Sequence, residues 1–342
     1  KPMILLLPII ALVAGFIFIY LSADVFTDNS ARIASTYNVS PLIIGIVILG
    51  FGTSAPEMLI SGRAAFAEHP GLSVGNAFGS NILNIALVLG ITAIIQPIKV
   101  ELKSIEKEWH FLIAFTLGAG LLLLLDRKLN TYDGYFLVAA LVGFLLYTFR
   151  VSKKAHHDFK SLSSIGDISQ KWKIWRNLVV SITILLVSAQ LIVYGGTNIA
   201  AIFKMPDVIV GVTIVALGTS IPELAVSITS AFKNQHEMVV GNIIGSNIFN
   251  TVAVLAIPAL ISTTDISLIS TSDVSGIWPS YFAFFLDFSV MFFLTVAIGF
   301  FLFLTVSGKR KNQISKSEGI SFIIILCLYL VAMFSIDLPY FI

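Results

Sequence analysis

Two short segments hold the residues whose types and spacing can do chemistry. In the first, Thr53 and Glu57 stand four apart and Ser54 and Glu57 three apart, so on a helix two hydroxyls and a carboxylate share one face. Thr219, Ser220 and Glu223 repeat the arrangement. Pro56 and Pro222 lack the N–H that would bond the carbonyls of Gly52 and Gly218, so each helix is expected to bend or break beside its acidic residue and free carbonyl oxygens as ligands. Ser80 with Asn84 and Ser246 with Asn250 are again four apart, and Gly75, Gly79, Gly241 and Gly245 allow close helix approach. Hydroxyl, amide, carbonyl and carboxylate oxygens with no nearby His or Cys form a hard-ligand set, suited to Ca2+ or Na+ and poor for zinc or copper. One Ca2+, two Na+ or two protons would each neutralise two carboxylates. Competition for the same oxygens is the simplest basis for exchange.

The elements that must position these residues are membrane helices. The chain has 342 residues, 57% hydrophobic and only 12% charged, against about 25% charged in soluble domains, which argues against a soluble globular protein. A formal net charge of +2 gives no electrostatic footprint for nucleic acid, and the single cysteine, Cys327, builds neither a disulfide nor a cysteine metal cluster within the chain. Ten apolar runs read as spans, at about 3–22, 41–66, 73–95, 109–125, 134–149, 177–200, 208–232, 239–261, 285–306 and 319–336. A carboxylate inside such a span costs several kcal/mol unless compensated, so Glu57 and Glu223 are functional hypotheses by default. Assigning Lys and Arg to alternate sides puts sixteen on one side and four on the other. That places the basic 151–176 linker in the cytoplasm and both termini outside. Arg63 falls within a span and is expected to snorkel to the interface, Asp287 to sit at the outer edge of the ninth span, and His156 and His157 to lie in a solvated or lipid-facing loop.

The two sides of the linker are related. Residues 45–95 align with 211–261 without gaps at 23 of 51 positions, including the shared GTS and PE pattern at Gly52 to Glu57 and Gly218 to Glu223. Because five spans separate the copies, they cross the membrane in opposite directions. The expected fold is therefore an all-α integral membrane protein of ten transmembrane helices, built as two inverted-topology five-helix repeats over 1–150 and 177–342. Such repeats usually enclose a midplane site and work by alternating access. Asn76, Asn81, Asn242 and Asn247 are duplicated too, and are assigned to hydrogen bonds with helix ends or backbone at the kinks rather than to the site. The four glycines are assigned to packing.

GFGTSAPE with GNAFGSNILN, repeated as ALGTSIPE with GNIIGSNIFN, resembles the two alpha-repeats of the sodium/calcium exchangers within the calcium/cation antiporter superfamily. The resemblance implies that the second, third, seventh and eighth helices enclose cation sites, with Thr53, Ser54, Glu57, Ser80, Asn84, Thr219, Ser220, Glu223, Ser246 and Asn250 as side-chain ligands, joined by the carbonyls of Gly50 and Ala216. It also implies Ca2+ bridged by the two glutamates and two threonines, with several Na+ sites around the same centre. Some relatives carry Asp where this chain has Asn250, and an Asn there removes a titratable group and argues against potassium dependence.

The resulting expectation is a carrier, not an enzyme, exporting Ca2+ in exchange for Na+ by alternating access, electrogenically and without potassium. It needs no cofactor, has the bilayer as its surroundings, binds no nucleic acid and has no expected protein partner. Its short loops suggest a prokaryotic inner (plasma) membrane. A proton/calcium antiporter of the same superfamily remains open; the neutral Ser, Thr and Asn oxygens favour Na+. A cation channel would call for a ring of groups from several subunits, whereas inverted repeats in one chain favour a carrier.

Overall fold

The computed structural model describes residues 2–66, 70–99, 102–126, 128–155, 168–203, 216–262, 266–267, 280–303 and 313–337. The helices are α1 (Pro2–Tyr37), α2 (Pro41–Ile44), α3 (Phe51–Thr53), α4 (Ala55–Phe66), α5 (Pro70–Leu83), α6 (Gly90–Ile95), α7 (Leu102–Asp126), α8 (Thr131–Ala155), α9 (Ile168–Ile202), α10 (Ala216–Phe232), α11 (His236–Phe249), α12 (Leu255–Ile261), α13 (Ser280–Phe303) and α14 (Lys316–Asp337). Among the described residues three π-helical segments interrupt them: π1 (Gly45–Gly50), π2 (Asn84–Leu89) and π3 (Asn250–Val254). Two antiparallel ladders of two residues each, Ile98–Lys99 with Gln313–Ile314 and Lys128–Leu129 with Ile266–Ser267, are the departures from an all-helical chain among the described residues.

Among the described residues seven helices are long and apolar enough to cross a membrane, and the pair Pro41–Thr53 with Ala55–Phe66, broken at Ser54, makes an eighth if counted as one span. Helices over 102–126 and 216–232 occupy the two other expected positions. The fold is an all-α, multi-pass membrane architecture. Helix ends follow local chemistry that is visible in the sequence. Asn130 and Asp133 form a reciprocal cap on α8, and Ser315 with Glu318 forms a capping box on α14. Asn38 and Asn234 adopt positive φ of 50° and 57° to end α1 and α10, with the amide of the following residue bonding a carbonyl five residues back. Residues 156–167 of the basic linker, including His156 and His157, lie outside the described residues, and α8 and α9 run into its two ends.

The chain forms two compact units that cut across the sequence repeats. One comprises Lys1–Pro56 and Tyr147–Gly245, the other Glu57–Leu146 and Ser246–Ile342, so each draws on both repeats. In the first unit α1 and α9 pack antiparallel. Gly15 lies against Ile192 and the Ser188 carbonyl, and Gly195 against Leu12 and the Pro8 carbonyl. The repeat-related Ser22 and Ser188 each return their hydroxyl to the carbonyl four residues earlier, at 2.6 Å, so neither needs a partner across an apolar surface. Phe26, Ile33, Leu49, Leu185, Val226 and Met238 are buried together as the core of this unit. Lys233, just beyond α10, reaches α1 and lies 2.7 Å from Asp24 and 2.6 Å from Asp28. The repeat places Gln190, Tyr194 and Ala67 at the corresponding positions, so this tether has no counterpart of like charge.

In the second unit α6 packs on α14 through Gly90 and Gly319, and α7 packs on α13, where Trp109 donates to the Thr295 carbonyl at 2.9 Å. Tyr329 of α14 donates to Asp287 of α13 at 2.8 Å. Asp287, expected at a span edge with no particular partner, is therefore half-buried and hydrogen-bonded. Arg63 is exposed in the last turn of α4, in keeping with a snorkelling cation.

Two outcomes are expected. A Cβ on Gly195 would stand 2.6 Å from the Pro8 carbonyl oxygen, a backbone atom that cannot swing away. Gly195→Val should therefore cost on the order of 1–3 kcal/mol and lower the thermal unfolding temperature in detergent, whereas Gly143→Val, whose Cβ would meet open space, should not. Burial acts to lower the Lys233 ammonium pKa, but the bonds to Asp24 and Asp28 outweigh it and hold the pKa above its ordinary value. A raised lysine contributes at neutral pH and is lost only as pH climbs through that raised value. Lys233→Met should destabilise by roughly 0–1 kcal/mol, equally at pH values near 6 and 8, and less in high salt.

Candidate functional site

The side chains of Thr53, Ser54, Glu57, Ser80, Asn84, Thr219, Ser220, Glu223, Ser246 and Asn250 are all buried, none more than 4% exposed. Ten polar side chains from one expected ligand set do not become buried to this degree by chance in an apolar chain. Each must be compensated, and the compensation identifies what the site is built to do.

In the first unit, π1 leads into α3 and ends at Gly50, and Thr53 and Ser54 follow. The Ser54 amide bonds the Gly50 carbonyl at 3.2 Å. Ser54 has φ −79° and ψ 1°, outside the helical range, and marks the break beside Pro56. The expected break is therefore present in the first copy. The second copy differs: α10 continues through Pro222 as one helix. In the first copy a π segment shifts the hydrogen-bond register just upstream of the proline, and the chain regains α-helical register by breaking at Ser54. The corresponding segment of the second copy, 204–215, lies outside the described residues. Pro222 still donates nothing to the Gly218 carbonyl. Ala216 opens α10, and Thr219, Ser220 and Glu223 follow on it.

The Asn residues tie these elements together. Asn242 on α11 donates to the Glu223 carbonyl at 3.4 Å and to the Ser227 hydroxyl at 3.0 Å, and its Oδ1 lies 3.2 Å from the Thr53 hydroxyl. One amide thus spans from the hydroxyl–carboxylate motif of the first repeat to that of the second. In the other unit Asn76 on α5 repeats half of this arrangement. It donates to the Glu57 carbonyl at 3.1 Å and the Ser61 hydroxyl at 3.3 Å, while Ser73 donates to the Ser61 carbonyl at 3.0 Å. Asn76, Asn242, Glu57, Glu223, Ser61 and Ser227 pair off at the same offset of 166. Bonding to backbone beside the kink is what the sequence led one to expect of Asn76 and Asn242; the link from Asn242 to Thr53 is new. Its signal was the duplicated Gly-Asn pair at Gly75–Asn76 and Gly241–Asn242.

The π segments coincide with the expected ligands. π1 ends at Gly50, π2 begins at Asn84 and π3 begins at Asn250. A π turn inserts a residue into the α ladder and changes which carbonyls and side chains face a given side, which is why such turns gather at functional sites. The amides of Asn84 and Asn250 and the hydroxyls of Ser54 and Ser220 are fully buried and make no hydrogen bond within the described residues. Such oxygens are available to a cation, and leaving them unmet would cost about 1–3 kcal/mol each. In the first unit Gly241 lies against Leu42 and Gly45, and Gly245 against Ile46, all backbone contacts, so the glycines allow the close approach expected of them. A Cβ on Gly75 or Gly79 would meet no described atom within 4 Å.

Comparison with known proteins agrees with this geometry. The chain matches the family described as Sodium/calcium exchanger protein over residues 7–150 and 174–335, which takes in both repeats. It is 33% identical over 270 residues to the inner membrane protein YrbG of Escherichia coli (77% of this chain, 82% of that protein) and 24% identical over 297 residues to the sodium/calcium exchanger MaX1 of Methanosarcina acetivorans (75% and 85%). Among solved structures, the sodium-calcium exchanger NCX_Mj superposes with a TM-score of 0.78 at 30% identity, covering 96% of this chain and 98% of that one. Two buried hydroxyl–glutamate motifs in a duplicated helical frame, matched along nearly the whole chain, place this protein in the sodium/calcium exchanger family.

Proposed function

We propose that this protein exports Ca2+ from the cytoplasm in exchange for Na+ by alternating access, as a carrier and not as an enzyme. The observation that carries the reading is the pair of buried glutamates at equivalent places in inverted repeats. Each follows two hydroxyls by three and four residues, and each has its backbone carbonyl held by an asparagine amide. The proposed ligands are Thr53, Ser54, Glu57, Ser80, Asn84, Thr219, Ser220, Glu223, Ser246 and Asn250, with the carbonyls of Gly50 and Ala216. Glu57 and Glu223 are central, because only they offset cation charge. One Ca2+ brings their combined charge to zero, and three Na+ would leave +1, so a three-for-one cycle is electrogenic. Two membrane carboxylates left unneutralised are costly, and this disfavours passage of an empty site.

The preference for Na+ over protons rests on the neutral donors. A protonated carboxyl needs no additional oxygen shell, whereas each Na+ must replace lost hydration with hydroxyl, amide and carbonyl oxygens. This chain supplies those in both repeats. Asn250, where some relatives have Asp, holds the carboxylate count at two and supports potassium-independent exchange. The long α1 and α9, antiparallel and packed through glycine, are the elements proposed to slide during alternation. The plasma membrane, with both termini outside, is the proposed location, on the strength of the charge asymmetry of the loops.

Radiolabelled Ca2+ uptake into proteoliposomes tests the reading, with an outward Na+ gradient, an outward proton gradient or no gradient. Uptake should require the Na+ gradient, generate a membrane potential and fall at least a hundredfold in Glu57→Gln and Glu223→Gln, a loss of about 3 kcal/mol or more for a charged ligand. Uptake driven by protons alone would assign the protein to proton/calcium exchange. Uptake without any gradient would refute a carrier. Asn250→Asp adds a titratable ligand, and its Ca2+ uptake should become more sensitive to acid pH than that of the wild type.

A further inference from the structure

Asn81 follows the proposed ligand Ser80 and precedes the proposed ligand Asn84 by three residues, yet at about 100° per residue it flanks the strip they form on α5 instead of lying on it. It is 1% exposed. Its amide nitrogen donates to the Thr251 hydroxyl at 2.8 Å and to the Met291 sulfur at 3.3 Å. Thr251 and Met291 are themselves fully buried. Thr251 is the residue after Asn250, within the π turn that Asn250 opens. A buried side-chain bond thus runs from α5, which carries Ser80 and leads into Asn84, to the turn that presents Asn250. All of these residues belong to one compact unit.

The geometry points to Asn81 as a positioning residue for cation binding: through Thr251 it sets the π turn that presents Asn250 against Ser80 on α5 and Asn84 at the start of π2. This rests on the proposed reading of those three residues as ligands. A π turn inserts a residue into the α ladder and so resets which side chains it presents, and an external anchor beside the ligand fixes that presentation. The amide also suits the task. Its nitrogen bonds the turn at Thr251 and α13 at Met291, in surroundings where an unmade bond is expensive.

The anchor serves one repeat alone. At the offset of 166, Asn81 corresponds to Asn247 and Thr251 to Ile85. Isoleucine has no hydroxyl, so the bond that holds the Asn250 turn has no equivalent at the Asn84 turn. The Asn247 amide is fully buried with no hydrogen bond among the described residues. The two asparagines that open π turns are therefore equivalent in sequence but not in support. Asn250 is held more firmly, and Asn84 is the more adjustable of the two.

Isosteric changes at Thr251 separate this role from packing. Thr251→Val keeps the volume and deletes the hydroxyl, whereas Thr251→Ser keeps the hydroxyl and deletes a methyl. Half-saturation for Ca2+ and for Na+ should rise roughly three- to tenfold in Thr251→Val and in Asn81→Leu, with maximal uptake much less changed. Thr251→Ser should recover most of the affinity, and the double variant Asn81→Leu/Thr251→Val should be no worse than the poorer single one, because both remove the same bond. Half-saturation in Thr251→Val equal to wild type, or Thr251→Ser as impaired as Thr251→Val, would overturn the inference. So would effects of the two single changes that simply add. If Asn81→Leu does not assemble, the two Thr251 variants decide alone. Wild-type protein that moves no Ca2+ under any gradient would overturn the functional reading and this inference with it; normal wild-type exchange with an unaffected Thr251→Val overturns the inference alone.

Discussion

Two carboxylates buried in an apolar helical protein set the terms for everything around them. Glu57 and Glu223 are fully buried, and no burial of charge in hydrocarbon is tolerable without a compensating ion, a proton or a dense set of dipoles. The helices are accordingly irregular where the glutamates sit. A break at Ser54, a proline within α10 and π segments at Gly50, Asn84 and Asn250 all replace regular hydrogen bonds with available oxygens. Irregular backbone is admissible at membrane depth only where it is enclosed by protein, and these segments are among the most buried of the chain.

The asparagine amides reconcile that irregularity with a defined shape. Asn76 and Asn242 each hold the carbonyl of a glutamate together with a serine hydroxyl one turn later, in the same geometry in both repeats. Symmetry of this kind follows from duplication, and it keeps the two glutamates chemically alike. Departures from it are equally informative. Asn242 reaches Thr53 as well, Thr251 has an isoleucine as its counterpart, and the Lys233 tether to Asp24 and Asp28 faces neutral residues in the other repeat. In an inverted repeat the two end states are related by exchanging the halves, so features confined to one half are what make those states unequal in energy.

Much of the proposed ligand set is legible in the linear sequence because helical spacing is rigid. Thr53 with Glu57, and Ser80 with Asn84, share faces on any helix, and their recurrence 166 residues later removes the accident of a single match. Helix caps such as Ser315 with Glu318 are equally local. Less legible is how the chain responds to a proline. Pro56 and Pro222 stand in the same Gly-Thr-Ser-x-Pro-Glu pattern, with Ala55 and Ile221 at its variable place, yet one adjoins a break and the other lies within a continuous helix. In the first copy π1 leads into the break at Ser54, and hydrogen-bond register of this kind is not encoded by any short motif. The π turns have no sequence mark at all beyond the asparagines that open two of them.

Composition, hydrophobic run lengths and the duplicated motifs by themselves determined a helical membrane protein with an inverted repeat and the hard-oxygen residues of the proposed site, because all three depend on spacing along one chain. Tertiary structure alone decided which polar atoms meet: that Asn242 joins Thr53 to the turn beyond Glu223, that Asn81 holds Thr251, and that Lys233 finds two aspartates on α1. The Asn81–Thr251, Asn242–Thr53 and Lys233–aspartate partners lie between 170 and 209 residues apart, and the choice among them is made by how helices pack. Packing sums many weak contacts over distant segments, and no local pattern carries that sum.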